Sequence, residues 1–126
     1  MFRELCKSKI QPATVTETNL YYQGSITIDS VLMEAADIVE YEKVQVLNLN
    51  NGQRIETYVI EGEGNSGIIC LNGPAARHAH AGDKVIILSY CLVEEGKTRN
   101  WEPRIVLVDD LNRPLKAATV ARGHKN

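Results

Sequence analysis

The stretch of sequence that decides the fold reads KVQVLNLNNGQRIETYVI and covers residues 43–60. Apolar and polar residues alternate over residues 43–49 and again over residues 54–60, which is the period of a half-buried β-strand. Asn50-Asn51-Gly52 separates the two runs. This is a strong turn signal, because Asn and Gly accept the backbone conformations that tight hairpins require. The sequence therefore predicts a β-hairpin here.

Outward from the hairpin, other runs rich in β-branched residues are separated by turn signals. They predict strands at residues 13–18, 25–28, 68–71, 84–93 and 104–108. The run at 84–93 is the longest, so we expect it at the centre of the sheet. Many short strands without a strand–helix–strand repeat indicate a mainly β fold, most simply a small closed β barrel.

The remaining segments predict one helix, one loop and a tail. Asp29 or Ser30 can cap a short helix that ends near Asp37, with Val31, Leu32, Ala35 and Ala36 as its apolar stripe. Residues 61–67 are rich in glycine but lack the Gly-Lys-Ser/Thr ending of a phosphate-binding loop, so a flexible, exposed loop is expected. The polar tail, residues 116–126, is expected to fray.

Length and charge bound the class of protein. The chain has 126 residues, enough for a single domain over residues 1–126 with a modest core. Lysine and arginine number 14 against 16 acidic residues, which gives a net charge of −2. A nucleic-acid-binding protein normally presents a basic face, so a nucleic-acid partner is not expected.

The sequence has none of the usual signs of a membrane or secreted protein. Residues 1–7 carry charges where a signal peptide needs an apolar core, and no apolar run approaches the length of a membrane span. Cys6, Cys70 and Cys91 are an odd number of cysteines without zinc-ligand spacing. We interpret them as small buried apolar residues in a reducing compartment. A soluble cytoplasmic protein with no membrane partner is expected.

The dipeptide Gly24-Ser25 introduces a candidate chemistry. Gly24 has no side chain to shield its carbonyl, and the hydroxyl of Ser25 could attack that carbonyl from the next residue. Elimination from the resulting ester would leave Gly24 as a new carboxyl terminus, and hydrolysis with loss of ammonia would leave a pyruvoyl group at position 25. The same dipeptide is also an ordinary turn into a strand, so by itself it leaves both interpretations open.

A second group of candidate residues lies on the strand at 54–60. In an extended strand Arg54, Glu56 and Tyr58 share one face, so that a guanidinium and a phenol could reach the same ligand. The alternative is a surface pair of Arg54 and Glu56, with Tyr58 covering the rim. Thr57 faces the other way under simple alternation, and a role in the same site would require a β-bulge or a strand between two subunits.

Two histidines and one tryptophan have structural interpretations. His78 and His80 would share a face if their segment is extended, as paired metal ligands do in some proteins. No carboxylate or thiol nearby in the sequence completes a ligand set, so no metal site is predicted. Trp101 beside Pro103 is interpreted as a packing residue.

Taken together, these motifs resemble one family closely, the bacterial aspartate 1-decarboxylases, which are pyruvoyl enzymes that make β-alanine for pantothenate synthesis. The resemblance covers nearly the whole chain, with several motifs in the family's order and at its separations. The matching residues are Lys7-Ser8-Lys9-Ile10, Ala13-Thr14-Val15-Thr16, residues 19–29, Asn51-Gly52-Gln53-Arg54, Thr57-Tyr58, Asn72-Gly73, Ala75-Ala76, Gly82-Asp83 and Val106-Leu107-Val108-Asp109.

The resemblance implies a small closed six-stranded double-psi β barrel with short helices, assembled as a homotetramer. It also implies a proenzyme that cuts itself between Gly24 and Ser25 into residues 1–24, the β chain, and residues 25–126, the α chain. The cofactor would be the covalent pyruvoyl group derived from Ser25, with no pyridoxal phosphate and no metal. The substrate would be L-aspartate. Maturation could be spontaneous or could require a helper protein.

The same resemblance implies roles for particular residues. Ser25 would carry the pyruvoyl group, Tyr58 would donate a proton, and Thr57 would serve both cleavage and substrate binding. The other residues at or around the substrate site would be Lys9, Tyr22, Arg54, Asn72, Gly73, Pro74 and Ala75. A carboxylate that leaves as carbon dioxide should not be held tightly in the ground state. We therefore expect Arg54, with Lys9, to hold the carboxylate that is retained, while the α-carboxylate lies against apolar residues.

Two positions depart from the family's pattern. Gln11-Pro12 stands where members often have His-Arg, and Pro74 stands where alanine is usual. Proline has no backbone N–H, so only Gly73 and Ala75 could supply amide donors at this turn. We expect an altered affinity or cleavage rate and the same reaction. The alternative function for the chain is an uncleaved barrel that acts as a binding or scaffold module, with Gly24-Ser25 only a turn.

Overall fold

The computed structural model describes residues 1–115, so the expectation for residues 116–126 lies outside the described part. The strands are β1 (Phe2–Thr14), β2 (Glu17–Asn19), β3 (Ser25–Asp29), β4 (Lys43–Asn48), β5 (Arg54–Gly62), β6 (Ile69–Asn72), β7 (Lys84–Glu94) and β8 (Arg104–Leu107). The helices are the α-helix α1 (Ser30–Ala36) and two 3₁₀ helices, Gly73–His78 and Glu95–Lys97. The described residues are thus mainly β with short helices, as predicted.

The hairpin predicted at residues 43–60 is present. β4 and β5 pair antiparallel, with Lys43 opposite Tyr58 and Leu47 opposite Arg54. Gly52 has a φ of 75°, and its amide donates to the Asn48 carbonyl at 2.8 Å. A positive φ is the backbone conformation that the turn signal Asn50-Asn51-Gly52 predicts.

The strands pair in the order β2-β6-β3-β5-β4-β7-β1-β8. β7 pairs with both β1 and β4, which confirms the central position predicted for the longest apolar run. The family resemblance implied six strands, whereas the described residues form eight. β2 and β8, with three and four residues, lie at the ends of this order, and closure of the sheet into a barrel remains a prediction.

The prediction was wrong in its bounds at the start of the chain. β1 begins at Phe2 and runs beside β7 from the pair Phe2–Glu94 to the pair Thr14–Lys84, so the predicted strand at 13–18 is interrupted after Thr14. The charges of residues 3–7 conceal this strand in the sequence, because its pairing partner is about 80 residues away. The Trp101 indole N–H donates to the Cys6 carbonyl at 2.8 Å, as expected of a packing residue.

The sequence predicted either Asp29 or Ser30 as the N-cap residue of helix α1, and the structure shows Asp29 in this role. The Asp29 carboxylate accepts from the Val31 amide at 2.8 Å, so Asp29 is the N-cap residue. Asp37 ends the helix in the left-handed conformation, with φ of 58°. The helix therefore has the bounds that the capping signals indicated.

The glycine-rich loop is more constrained than the sequence suggested. Asp29, which is only 3% exposed, also accepts hydrogen bonds from the amides of Asn65 at 3.0 Å and Gly67 at 2.8 Å. Asn112 donates to the Gly67 carbonyl at 2.8 Å. Two buried polar side chains therefore hold residues 61–67 in place.

The hydrophobic core surrounds β3. Four of the five residues of this strand are buried, between the parallel partner β5 and the antiparallel partner β6. The largest fully buried apolar side chains are Ile10, Val15, Ile26, Ile28, Leu32, Val44, Val59, Ile69, Leu71, Val85, Ile87 and Val106. The first residue of β3, Ser25, is consequently buried at the edge of this core.

Candidate active site

Ser25 begins β3 with its side chain fully buried. Asn72 of β6 lies directly opposite it. The Asn72 amide nitrogen Nδ2 donates to Ser25 Oγ at 2.9 Å and to Thr27 Oγ1 at 3.0 Å. Ser25 Oγ in turn donates to the Gln23 carbonyl at 3.2 Å. The serine hydroxyl is therefore held in one orientation beside the segment that precedes it.

Gly73 allows the Gly73–His78 helix to lie against the segment that carries Gly24. Gly73 has a φ of 63°, and a Cβ at this position would lie 2.6 Å from the Tyr22 carbonyl oxygen and 2.8 Å from the N and Cα atoms of Gly24. Only a residue without a side chain fits this space. The Cδ of Pro74 lies 3.4 Å from where a Cβ on Gly24 would be. Residues 73 and 74 thus define the space around the Gly24 backbone.

An open cleft of about 360 Å³ borders the same segment. It is lined by Gly24, Ile55, Glu56, Thr57, Tyr58, Pro74, Ala75 and His78. The structure therefore brings together five of the predicted site residues in one cleft. Ser25 follows Gly24 in the chain, Gly73 packs against the Gly24 backbone, and Asn72 is hydrogen-bonded to Ser25.

Thr57 and Tyr58 both line this cleft although they are adjacent in the strand. The pairing of β5 with β4 has no register shift between residues 54 and 58, so Thr57 reaches the cleft without the β-bulge that simple alternation required. Among the described pairings, β3 joins β5 only from Val59 onward. Residues 54–58 therefore have a free edge, and consecutive side chains are accessible along it.

The ring of Tyr58 packs against a residue that the sequence did not indicate. The ring centroids of Tyr58 and Tyr41 lie 6.2 Å apart with their planes at 49°. Tyr41 follows α1 in a left-handed conformation, with φ of 74°. No periodic pattern marks it, and its contact with Tyr58 depends on how the connection folds back over β5.

Arg54 does not line the cleft that holds Gly24. Its guanidinium donates to Gln45 Oε1 at 2.7 Å, and Gln45 Nε2 donates to Glu56 Oε2 at 3.1 Å. Gln45 thus lies between the two side chains that were considered as a direct surface pair. The Gln45 hydrogen bond, followed by the charge of Lys43, lowers the pKa of Glu56, so this carboxylate at the border of the cleft is anionic at neutral pH.

The hollow beside Arg54 is larger than the cleft and lies next to it. It has a volume of about 520 Å³ and is lined by Glu4, Glu42, Lys43, Val44, Gln45, Arg54, Glu56 and Tyr90. Glu56 borders both spaces. We expected the Arg54 guanidinium and the Tyr58 phenol to contact the same ligand. Within a single chain, however, Arg54 lines the larger hollow and Tyr58 lines the cleft.

Lys9 and Tyr22 also lie outside the described lining of the cleft. Lys9 is on β1, opposite Leu88 of β7 and Ile105 of β8. The side chain of Tyr22 is about half exposed, and it is the Tyr22 backbone carbonyl that faces Gly73. Of the predicted site residues, Lys9, Tyr22 and Arg54 are thus the ones that this chain does not bring to the cleft.

The two histidines do not form the extended pair that was considered. His78 ends a 3₁₀ helix, where its Nδ1 hydrogen-bonds to Gln53 Oε1, and His80 lies beyond that helix. Within residues 1–115, no three His, Cys, Asp or Glu side chains are placed to hold a metal ion. His78 instead lines the cleft with Glu56. The sequence did not predict His78 or Glu56 as site residues, although its periodicity placed Glu56 on the same strand face as Tyr58.

All three cysteines are free. Cys70 is buried, as interpreted, whereas Cys6 and Cys91 are half-buried. Burial raises the pKa of each thiol, and for Cys70 burial together with the charge of Glu17 raises the pKa to about 11. The thiols therefore keep their protons at neutral pH.

Comparisons with known proteins show the family of the chain. Within residues 1–115, none of the helices has the length and apolar character that crossing a bilayer requires. The sequence model of the aspartate decarboxylase family matches residues 1–115. The aspartate 1-decarboxylase of Caldicellulosiruptor bescii is 63% identical over 116 residues, which cover 92% of this chain and 91% of that protein.

Two other relatives give similar values. The aspartate 1-decarboxylase of Bacillus cereus strain G9842 is 58% identical over 116 residues, with 92% of this chain and 91% of that protein covered. The aspartate 1-decarboxylase of Thermoanaerobacter pseudethanolicus is 55% identical over 115 residues, with 91% and 98% covered. These matches extend over almost the whole chain, so the protein belongs to the aspartate decarboxylase family.

Proposed function

We propose that this protein is a pyruvoyl-dependent enzyme that converts L-aspartate to β-alanine and carbon dioxide after cutting its own chain between Gly24 and Ser25. Decarboxylation of aspartate to β-alanine, a precursor of pantothenate, is the activity of the family to which the chain belongs. The self-cleavage, the cofactor and the residue roles are what the resemblance to this family implies, and the geometry around Ser25 supports them. The cytoplasm is the proposed location, in keeping with three free thiols.

One observation carries this proposal. Gly24, on the amino side of the proposed cut, lines the same cleft as the Tyr58 phenol. Ser25, which would attack the Gly24 carbonyl, is the next residue and has its hydroxyl fixed by Asn72. A carbonyl, a nucleophile and a proton donor are therefore close together in a small part of the fold.

The proposed cleavage uses only the atoms of this segment and water. Ser25 Oγ forms a bond to the Gly24 carbonyl carbon, and the bond from that carbon to the Ser25 nitrogen breaks. Loss of the Ser25 α-proton then expels the Gly24 carboxylate. Addition of water and release of ammonia leave the pyruvoyl group at residue 25. Gly73 allows this turn to pack closely, and Thr57 places a second hydroxyl on the cleft that Gly24 lines.

The donors around position 25 fit a pyruvoyl group. Asn72 Nδ2 donates to Ser25 Oγ, which would leave with the Gly24 carboxylate, and this N–H would then be free to donate to the carbonyl oxygen of a pyruvoyl group at residue 25. When present, the pyruvoyl group supplies an acceptor for the electron pair released as carbon dioxide leaves. Tyr58 would then deliver a proton to the carbon that lost the carboxylate, which is general acid catalysis.

The carboxylates of the substrate need partners that the cleft of one chain does not supply in full. The backbone amides of Gly73 and Ala75 are candidate donors, whereas Pro74 has none. We assign Arg54 and Lys9 to the carboxylate that is retained. Because both lie outside the cleft lining, we propose that a homotetramer completes the site with residues from neighbouring subunits. Addition of lysate, described below, tests whether maturation requires a helper protein.

The decisive experiment is the intact mass of the purified protein under denaturing conditions, before and after warming. We expect two fragments, residues 1–24 and 25–126, with the larger fragment blocked at its amino end and reactive toward a hydrazine. The matched control is Ser25→Ala, which removes the nucleophile and should stay uncut. Cleaved protein should release β-alanine from L-aspartate and leave L-glutamate, one methylene longer, unchanged.

The contrary result is equally clear. A wild-type chain that remains uncut after warming, and also after addition of lysate from the source organism, would overturn the self-cleavage. It would favour the uncleaved binding module. Cleavage that appears only with lysate would instead show that maturation needs a helper protein.

A further inference from the structure

A third polar side chain lies behind Ser25 and Asn72. Cys70 precedes Asn72 by two residues in β6, so the two side chains share one face of the strand. Cys70 Sγ lies 3.1 Å from Asn72 Oδ1, and Cys70 is only 3% exposed. The Asn72 carboxamide thus has the thiol at its oxygen end and the hydroxyls of Ser25 and Thr27 at its nitrogen end.

The Cys70 thiol favours one of the two possible orientations of the Asn72 carboxamide. A hydroxyl both donates and accepts, so Ser25 and Thr27 could bond to either end of the Asn72 amide. A protonated thiol is a donor and therefore favours the oxygen end. Burial, the charge of Glu17 opposite Cys70 on β2, and a hydrogen bond with the Glu17 side chain raise the pKa of Cys70 to about 11, so the thiol retains its hydrogen. The acceptors for this hydrogen are Asn72 Oδ1, at 3.1 Å, and the Glu17 side chain.

The orientation of the carboxamide determines where the hydrogen of the serine points. With Nδ2 toward Ser25, Oγ accepts from Asn72 and donates to the Gln23 carbonyl, as the structure has it. In the opposite orientation Oδ1 would face the serine and would accept the hydroxyl hydrogen. The O–H would then turn away from Gln23, and Oγ would present different lone pairs to the Gly24 carbonyl.

We propose that Cys70 is a positioning residue for chain cleavage, whose S–H fixes the Asn72 carboxamide and thereby the Ser25 hydroxyl. This inference rests on the proposed self-cleavage. Cys70 forms no covalent bond in it and acts only through Asn72. Because an S–H hydrogen bond is weak, its loss should slow cleavage roughly three- to tenfold and should not abolish it.

The test is a time course of cleavage for freshly synthesised chains. Each variant is labelled briefly during cell-free translation, and the uncut fraction is followed by intact mass or gel mobility. We expect Cys70→Ala to be cleaved about three- to tenfold more slowly than wild type. Cys70→Ser, which restores a donor, should stay within about twofold of the wild-type rate. Cys91→Ala is the matched control, since it removes a thiol from β7, and its rate should equal that of wild type.

The serine variant separates positioning from packing. A merely structural role would make Cys70→Ala and Cys70→Ser equally slow, because both lose the bulk of sulfur, and that result would overturn the proposal. A folded Cys70→Ala chain cleaved at the wild-type rate would overturn it as well. Circular dichroism checks folding, and if Cys70→Ala does not fold, Cys70→Val fills the volume without a donor and is expected to show the same slow cleavage.

The wild-type chain in the same experiment distinguishes this inference from the function on which it rests. If wild type remains uncut with lysate present, both the self-cleavage and the role of Cys70 are wrong. If wild type is cut and the Cys70 variants behave alike, only the role of Cys70 is wrong.

Discussion

Tyr58 is the cleft residue for which we propose the most specific chemical role, that of proton donor, because it brings a phenol to the free edge of β5. Tyr58→Phe removes the hydroxyl and keeps the ring that packs against Tyr41. We expect cleavage at Gly24 to persist and the rate of β-alanine formation to fall about 10²- to 10⁴-fold, the usual contribution of a general acid. Intact mass and a turnover assay measure the two effects separately.

The control for this variant is Tyr41→Phe. It deletes the same group from the other ring of the pair, which does not border the described cleft. Its turnover should remain near the wild-type value. If the two variants lose activity equally, Tyr58 acts through packing and is not the proton donor.

Gly73 lies where the backbone geometry leaves no room for a side chain. Gly73→Ala places a Cβ 2.6 Å from the Tyr22 carbonyl oxygen, at a φ that L side chains rarely adopt. The segment with Gly24 must move, so we expect cleavage at least about tenfold slower, which corresponds to about 1.4 kcal/mol in the barrier. Gly96→Ala is the control, since no atom lies within 4 Å of the added Cβ. Equal cleavage rates for the two would contradict the proposed packing.

At the scale of whole elements, the Gly73–His78 helix determines what the cleft offers a ligand. Its second residue, Pro74, contributes no amide hydrogen and places its Cδ near Gly24. Pro74→Ala restores a donor, so we expect the KM for aspartate to fall roughly two- to tenfold, the effect of one hydrogen bond, or the cleavage rate to change. Steady-state kinetics and intact mass measure these. Pro114→Ala, at a residue outside the described lining, is the control. A Pro74→Ala enzyme with unchanged KM and cleavage rate would remove this expectation.

A second element-scale prediction concerns Asp29, which links β3, α1 and the 61–67 loop. Asp29→Asn leaves one oxygen and turns an amide group toward a backbone N–H, so at least one of three hydrogen bonds is lost in a buried site. We expect a loss of about 1–3 kcal/mol in the free energy of unfolding, or roughly 4–12 °C in Tm. Asp110→Asn, whose side chain is exposed, should change stability by less than about 0.5 kcal/mol. Thermal denaturation measures the Tm of both variants. Equal Tm values for Asp29→Asn and Asp110→Asn would contradict the linking role of Asp29.

The same elements explain which parts of the fold the sequence predicts. The β4–β5 hairpin is encoded by its local sequence, because apolar and polar residues alternate on both sides of Asn50-Asn51-Gly52. Its bounds were therefore predicted almost to the residue. The first part of β1 has no local sequence signal, because residues 3–7 include charges. This part of the strand is stabilised by its pairing with β7. Asn112 is a further case, since its buried side chain ties residue 14 to residue 67 through contacts that no local pattern marks.

At the scale of the whole molecule, the sequence predicted the members of the site better than their arrangement. Residues next to each other in motifs, such as Thr57-Tyr58 and Gly73-Pro74-Ala75, do meet at Gly24. Arg54 shares a strand face with Tyr58 by periodicity, yet Gln45 draws its guanidinium into the neighbouring hollow. Strand periodicity gives the face of a side chain, and the partners across the sheet decide where its charged end lies.

The position of Arg54 leads to a prediction about assembly. If neighbouring subunits of a tetramer complete each site, Arg54→Ala and Tyr58→Phe damage different halves of it. Each variant alone should be almost inactive. Tetramers assembled from both chains in equal amounts should regain activity at about a quarter of their sites, those with an intact Arg54 from one chain and an intact Tyr58 from the other.

Co-expression of the two variants with different affinity tags, followed by sequential purification on both tags, gives the mixed assemblies. Their turnover is compared with that of each parent variant, after intact mass has shown that every chain is cleaved. Mixed assemblies no more active than their parents would show that Arg54 swings from Gln45 into the cleft of its own chain. The hydrogen bond between Arg54 and Gln45 would then be one that the substrate breaks, and the site would be complete within a single subunit.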